Sequence, residues 1–147
     1  MPPSQAEPAE TRHASTVAID GCAVLIQGPS GSGKSSLALQ LMAHGGGLVA
    51  DDVTTLWRRD GRVMAAAPPP LPPAIECRGI GLIRAELVGP APVTLVVDLS
   101  VTETQRIPEP GAILLLGIRL PLLHRVDSVH FAAGILQYVR GQGIHPA

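Results

Sequence analysis

The sequence has few aromatic residues, few cysteines and little net charge. Its 147 residues include one Trp, one Tyr and one Phe, too few for a surface that stacks single-stranded nucleic acid. The formal net charge is -1 at pH 7, so electrostatic attraction to nucleic acid or to an anionic membrane is not expected. Cys22 and Cys77 lie far apart, which argues against a disulfide framework or a zinc site. They indicate reduced thiols in a cytoplasmic protein.

Long apolar runs are also missing. None approaches the roughly 20 residues that a membrane-spanning helix needs, and residues 1–12 lack the apolar segment of a signal peptide. The chain is nevertheless 46% hydrophobic, which is enough for one core in a chain of single-domain length. We therefore expect a flexible leader over 1–12, one folded domain over 13–140 and a flexible tail over 141–147.

Two Asp-Gly dipeptides predict β-hairpins, since both turn positions need positive φ. Asp20-Gly21 joins apolar runs at 15–19 and 22–27, and Asp60-Gly61 joins runs at 54–58 and 62–66. Trp57, in the second hairpin, is expected in the core. Further strands are predicted from apolar runs at 48–50, 93–99 and 112–118.

Helical spacing of apolar residues predicts a helix over 36–44 and another over 126–139. The second helix is expected to bury one face, made of Val129, Ala132, Ala133, Leu136 and Val139. The order of elements predicts an α/β fold, a mixed sheet with one helix after a glycine-rich loop and one at the C-terminus.

The glycine-rich loop, Gly28–Ser35, matches the pattern G-x-x-x-x-G-K-[ST] between a predicted strand and a predicted helix. Its glycines let successive backbone N–H groups face one anion, and Lys34 adds a positive charge for the β- and γ-phosphates. The Ser35 hydroxyl is a hard oxygen ligand suited to Mg²⁺. We therefore expect ATP and Mg²⁺ to bind here. The expected nucleotide-binding residues are Gly28, Pro29, Ser30, Gly31, Ser32, Gly33, Lys34, Ser35 and Ser36.

Carboxylates that could act on the acceptor or the metal occur at three places. Asp51-Asp52 ends the strand after the loop helix, Asp98 ends another apolar run, and Glu76 follows the proline-rich segment 68–73. On an extended segment Glu76 and Arg78 would point to the same side, a carboxylate for the metal beside a guanidinium for phosphate or the acceptor. These patterns alone leave the three places unranked.

The combination of motifs resembles the catalytic domain of bacterial HPr kinase/phosphorylase, in a short form without an N-terminal domain. The resemblance rests on His13 upstream of the loop, the loop GPSGSGKS, LVADD ending at Asp52, and the segment IECRGIGLI. It implies Asp51 as base in the kinase direction and as acid in the reverse, with Lys34 and His13 as further catalytic residues. Arg78 is added to these catalytic residues for its guanidinium group. The resemblance also implies Ser35, Glu76 and Asp52 as residues on the metal side.

The resemblance further implies a fold like the nucleotide domain of phosphoenolpyruvate carboxykinase and a homohexamer. The implied activity is phosphorylation of a serine on an HPr-like phosphocarrier, together with its removal by inorganic phosphate. Where full-length members have a Gly-Arg-Asn-like segment linked to dephosphorylation, this chain has residues 123–127, with Arg125 as the available arginine. Two alternatives stay open: a nucleotide-binding regulatory module without turnover, and a small-molecule P-loop kinase.

Overall fold

The computed structural model describes residues 9–69 and 71–145. Most of the expected leader lies outside the described residues, but its end does not. Ala9–Arg12 forms strand β1, which pairs antiparallel with a later strand, β5 (Thr54–Arg59). The expectation of a flexible leader is wrong for these residues. Their side chains alternate between exposed and half-buried at an edge of the sheet, so no apolar run marks the strand.

Both Asp-Gly hairpins are confirmed. β2 (Ala14–Ile19) and β3 (Cys22–Gln27) pair antiparallel around the first dipeptide, and β5 pairs with β6 (Arg62–Ala66) around the second. All four turn residues have positive φ, between 49° and 80°. This is the backbone conformation that Asp-Gly adopts at low cost.

The longest strand, β9 (Ala91–Thr102), organises the sheet. It pairs in parallel with β3 and with β11 (Ile118–Arg125), while its first residues pair antiparallel with β6. β4 (Gly47–Ala50) pairs with β2, and β10 (Gly111–Leu115) pairs with β11. The main path of this nine-stranded mixed sheet is β1-β5-β6-β9-β3-β2-β4. The carboxyl ends of the parallel strands therefore meet at one edge, where ligands bind in open α/β sheets.

The C-terminal part departs from the prediction. The strand expected over 112–118 is a hairpin, in which Leu116-Gly117 joins β10 to β11 with φ of 49° and 78°. Leucine rarely adopts positive φ, so no sequence pattern indicated this turn. Asp98, expected near a strand end, lies inside β9 and pairs with His124 of the unpredicted β11.

The two expected helices are α1 (Lys34–Ala43) and α2 (Phe131–Arg140). The buried residues of α2 are Ala132, Ile135 and Leu136. The prediction is wrong for Val129 and Ala133, which are exposed, because the helix begins five residues later than its spacing indicated and turns another face inward. No helix in the described ranges has the length and apolar character to cross a membrane.

Two hydrophobic clusters cover opposite faces of the sheet. On β3, Val24 and Ile26 belong to the cluster that includes both helices, whereas Ala23 and Leu25 belong to the cluster on the other face. Burial on both faces explains the continuous apolar run of this strand. Trp57 is fully buried, as predicted.

A separate two-stranded sheet lies beside α1. It consists of β7 (Ala74–Cys77) and β8 (Gly81–Arg84), which pair antiparallel. Ile75 is buried, and Ile83 packs against the same cluster as α1. This packing holds the segment that follows the proline-rich connector against the helix that begins at Lys34.

Candidate active site

The glycine-rich loop connects β3 to α1. Gly28 and Gly33 have φ of 153° and 98°, and Gly33 occupies the N-cap of α1. A Cβ on Gly28 would lie 2.6 Å from Ser32 Oγ and 3.2 Å from Leu99 Cβ, so a larger residue would displace the loop's own side chain. The first turn of α1 thus directs its N–H groups and its positive end toward the loop, the arrangement that binds phosphate.

Lys34 is the only lysine in the sequence, and it is buried in this loop with 7% of its surface exposed. Its Nζ donates hydrogen bonds to the carbonyl oxygens of Gly28 at 2.9 Å and Pro29 at 3.2 Å. Because an ammonium on a four-carbon stem rotates freely, these carbonyls can be exchanged for phosphate oxygens. The loop therefore holds one positive charge where a phosphate chain would lie.

The Asp51 carboxylate connects three elements. Its Oδ1 accepts hydrogen bonds from the hydroxyls of Ser35 at 2.7 Å and Ser15 at 2.8 Å. Its Oδ2 accepts one from the backbone N–H of Glu76 at 3.0 Å. Asp51 thereby ties the first turn of α1 to the start of β2 and to the β7–β8 hairpin.

Asp52 has a different environment from its neighbour. It has φ of 66°, its side chain is exposed, and its backbone N–H donates to Ser15 Oγ at 3.2 Å. It lines a cleft of about 280 Å³ between the loop and the β7–β8 hairpin. The other lining residues are Ser30, Gly31, Gly33, Lys34, Ser35, Ser36, Glu76 and Arg78.

Arg125 approaches the loop from its other side. Its guanidinium donates to the carbonyl oxygen of Ser32, and both residues line a shallow cleft between the loop, α1 and the start of α2. Since Arg125 is the last residue of β11, this contact joins the C-terminal hairpin to the glycine-rich loop.

Asp98, the competing carboxylate, does not line the cleft that contains Lys34 and Asp52. Its carboxylate accepts hydrogen bonds from the Ser100 hydroxyl at 2.6 Å and the Gln27 amide at 3.5 Å. Burial alone would raise the pKa of Asp98. The combined effect of the hydrogen bonds from Ser100 and Gln27 and of the nearby His124 is larger, and it holds this pKa below its usual value. Asp98 is therefore a structural acceptor inside β9, paired with the last residue of β3.

A larger cavity, of about 550 Å³, lies away from the loop. Its lining combines apolar residues of β11 and α2 with Glu103 and His124, whose side chains lie 3.9 Å apart. It contains none of the loop residues, so its size does not make it the candidate active site.

A family model matches the sequence over most of the residues that form this site. Residues 4–103 match the family model of the HPr Serine kinase C-terminal domain. The chain belongs to this family. The mixed α/β fold is shared with a solved structure of the Hpr(Ser) kinase/phosphatase from Coxiella burnetii, with a TM-score of 0.75 and 26% identity. That match covers 90% of this chain and 95% of the other.

The regions matched in curated relatives are a smaller share of those proteins. The HPr kinase/phosphorylase of Nitrosomonas europaea is 43% identical over 82 residues, which are 55% of this chain and 25% of that protein. The HPr kinase/phosphorylase of Mycoplasma mycoides is 35% identical over 107 residues, which are 68% of this chain and 34% of that protein. The chain thus spans about a quarter to a third of the length of these relatives.

Within this domain, most residues chosen from sequence meet at one cleft. Glu76 and Arg78 both line the cleft. The prediction that the two residues share one side of an extended segment is wrong, because β7 ends at Cys77 and Arg78 lies in the following turn. His13 is exposed between β1 and β2 and is not among the cleft's lining residues. It lies two residues before Ser15, which contacts both members of the Asp pair.

The sequence patterns did not indicate Ser15 as a site residue, and they indicated Arg125 only as the available arginine in residues 123–127. Ser15 is fully buried, and a hydroxyl at the start of a largely apolar strand is the one signal that could have indicated it, since a buried hydroxyl needs a partner. The partner, Asp51, is distant in sequence, so the pairing itself is visible only in the fold.

The oxygen donors around Ser35 suit Mg²⁺. The Ser35 hydroxyl and the carboxylates of Asp51, Asp52 and Glu76 are gathered between the loop and the β7–β8 hairpin. Over residues 9–69 and 71–145, no group of three or more His, Cys, Asp or Glu side chains could hold a metal ion alone. Kinase sites usually bind Mg²⁺ through one or two carboxylates together with substrate phosphates and water. The residues therefore fit an ion that arrives with a nucleotide.

Proposed function

We propose that this chain is an ATP-dependent protein kinase that transfers the γ-phosphate of ATP to a serine of an HPr phosphocarrier. The supporting observation is the convergence of the phosphate loop, Asp52, Glu76 and Arg78 on one cleft. Family membership and the names of the relatives support HPr as the acceptor.

The loop supplies binding and charge neutralisation in this proposal. Its backbone N–H groups and Lys34 bind the β- and γ-phosphates, and Arg78 pairs with the transferred phosphoryl group from the opposite wall. Mg²⁺, held by Ser35 and the nearby carboxylates, would supply further neutralisation of phosphate charge. Most of the rate would come from positioning and electrostatic stabilisation, as in other phosphoryl transfers.

The contacts favour a different division of roles between the two aspartates than the resemblance implied. Asp51 accepts three hydrogen bonds, one of them from the Ser35 hydroxyl, which suits a residue that positions the metal side. Asp52 is exposed in the cleft, where an acceptor hydroxyl can reach it. We therefore assign proton acceptance from the serine to Asp52 and the metal side to Asp51 and Glu76.

Three further expectations belong to the same proposal. His13 is exposed two residues before Ser15, which contacts both aspartates, and it is a candidate contact for the acceptor. The relatives' names include phosphorylase and phosphatase, which favours a reverse reaction. In that reaction inorganic phosphate attacks the phosphoserine, giving pyrophosphate and the free serine, and Asp52 returns the proton. A homohexamer remains the proposed assembly.

Incubation of the chain with γ-labelled ATP, Mg²⁺ and HPr tests the function. Label on HPr is the expected result, and it should disappear when the acceptor serine is replaced by alanine. Label on a metabolite instead would indicate a small-molecule kinase. Nucleotide binding without label on HPr or any candidate metabolite would indicate the regulatory module without turnover. Either of the last two results contradicts the proposal.

Arg125→Ala is expected to weaken Mg-ATP binding about tenfold, the effect of losing one charge-assisted hydrogen bond to the loop. The guanidinium supports the Ser32 carbonyl without lining the cleft that holds Lys34. Calorimetric titration with Mg-ATP measures the change. Arg140→Ala, which removes an exposed arginine near Asp20, is the matched control. Equal affinities for the two variants would show that Arg125 does not support the loop.

A further inference from the structure

The β7–β8 hairpin has one packed face and one open face. Its inner face carries Ile75 and Ile83, which pack against the cluster containing α1. The strand register places Glu76 opposite Leu82 and Ala74 opposite Arg84 on the other face, because side chains alternate along each strand. The inner face therefore fixes the hairpin, and the outer face is free to meet another molecule.

This outer face exposes large apolar side chains beside the candidate active site. Leu82 is 69% exposed, and Ile80, in the turn, is 76% exposed. Directly opposite side chains in an antiparallel pair lie about 5 Å apart at Cβ, so Leu82 adjoins Glu76, which lines the cleft with Lys34 and Asp52. We name Ile80, Leu82 and Arg84 the hairpin ledge.

The ledge has a charge pattern as well as apolar surface. Arg84 is exposed at one end, and Arg78, in the turn at the other end, lines the cleft. Glu76, the acid between them, belongs to the proposed metal side. A partner that covers the ledge would thus meet two apolar side chains between two guanidinium groups, which favours a partner with apolar residues flanked by carboxylates.

We propose that the hairpin ledge binds the protein acceptor. The bound part of the acceptor would be an apolar and acidic segment next to the serine that receives the phosphate. This inference rests on the proposed function for the identity of the acceptor. The ledge adjoins the cleft, so a segment seated on it would deliver a neighbouring hydroxyl to Asp52. A small metabolite would be too short to cover both the cleft and the ledge, and the ledge therefore selects a protein over a metabolite.

Leu82→Asp tests the ledge with HPr as the acceptor. The KM for HPr is expected to rise about tenfold or more, as for loss of a central apolar contact. Mg-ATP affinity and kcat at saturating HPr should stay within about twofold, since Leu82 does not line the cleft. Leu114→Asp is the matched control, because Leu114 lies on β10 and is 67% exposed. It should leave the KM unchanged, whereas Arg84→Glu should raise it.

Binding of HPr to the chain with a non-hydrolysable ATP analogue, measured by calorimetry, separates this inference from the proposed function. Transfer to HPr with the same KM for Leu82→Asp and Leu114→Asp would overturn the ledge and leave the kinase proposal standing. Binding without transfer, weakened only by Leu82→Asp, would support the ledge and contradict the kinase. Absence of both binding and transfer would overturn both. Loss of self-association in Leu82→Asp with an unchanged KM would assign the ledge to a second copy of the chain and overturn the proposal.

Discussion

Replacing Lys34 with alanine is expected to weaken Mg-ATP binding about 10- to 100-fold and to lower phosphoryl transfer by about 10²- to 10³-fold. The ammonium is the buried positive charge of the phosphate loop, and its charge-assisted bonds to phosphate should strengthen as the γ-phosphoryl group leaves. Calorimetric titration and steady-state kinetics measure the two effects separately.

Because Lys34 is the only lysine, chemical labelling provides an independent readout. An amine-reactive reagent followed by mass spectrometry reports on this one side chain and on the N-terminal amine, which serves as an internal control. Mg-ATP should protect Lys34 and leave the terminus unprotected. Arg62→Ala, which removes an exposed cation on β6, should behave as the wild type in all three measurements. Undiminished ATP affinity in Lys34→Ala would contradict the assignment of the loop.

Asp52→Asn and Asp51→Asn are expected to fail in different ways. Asp52→Asn should retain Mg-ATP binding and lose about 10²- to 10⁴-fold in transfer, because it removes the group that accepts the serine proton. Asp51→Asn should weaken nucleotide binding in the presence of Mg²⁺ more than in its absence, since Asp51 contacts the Ser35 hydroxyl. Titrations with and without Mg²⁺, together with single-turnover transfer, distinguish the two variants.

The opposite result has a definite meaning. If Asp51→Asn binds Mg-ATP normally but does not transfer phosphate, and Asp52→Asn still transfers it, then Asp51 is the general base. That is the assignment implied by the resemblance. The hydrogen bonds of Asp51 would then describe only the protein without bound nucleotide.

Local chemistry accounts for the parts of the fold that sequence predicts. The Asp-Gly turns and the glycine-rich loop specify their own backbone conformations, so their strands and helix follow from residues close by in the chain. Leu116-Gly117 adopts similar positive φ values, but leucine at the first position lacks the preference for them that aspartate has. That turn, and β11 after it, depends on tertiary packing, including Leu115, which is fully buried.

In the candidate site, too, some features are specified by local sequence patterns and others depend on tertiary contacts. The loop, the Asp pair and the segment containing Glu76 and Arg78 carry recognisable patterns. Asp52, Glu76 and Arg78 line one cleft with the loop, and Asp51 is hydrogen-bonded to Ser35 and to the Glu76 backbone beside it. The contacts that distinguish Asp51 from Asp52 come from Ser15 and from a backbone N–H on β7. Both partners are remote in sequence from Asp51, and Ser15 belongs to no motif, so these contacts become visible only after folding.

Mass spectrometry of HPr after incubation with this chain and Mg-ATP tests the central claim most directly. The account predicts one added phosphoryl group, on a serine, formed by the wild-type chain and lost when Lys34 is replaced by alanine or Asp52 by asparagine. Unmodified HPr, under conditions where titration shows the wild-type chain saturated with Mg-ATP, would contradict it.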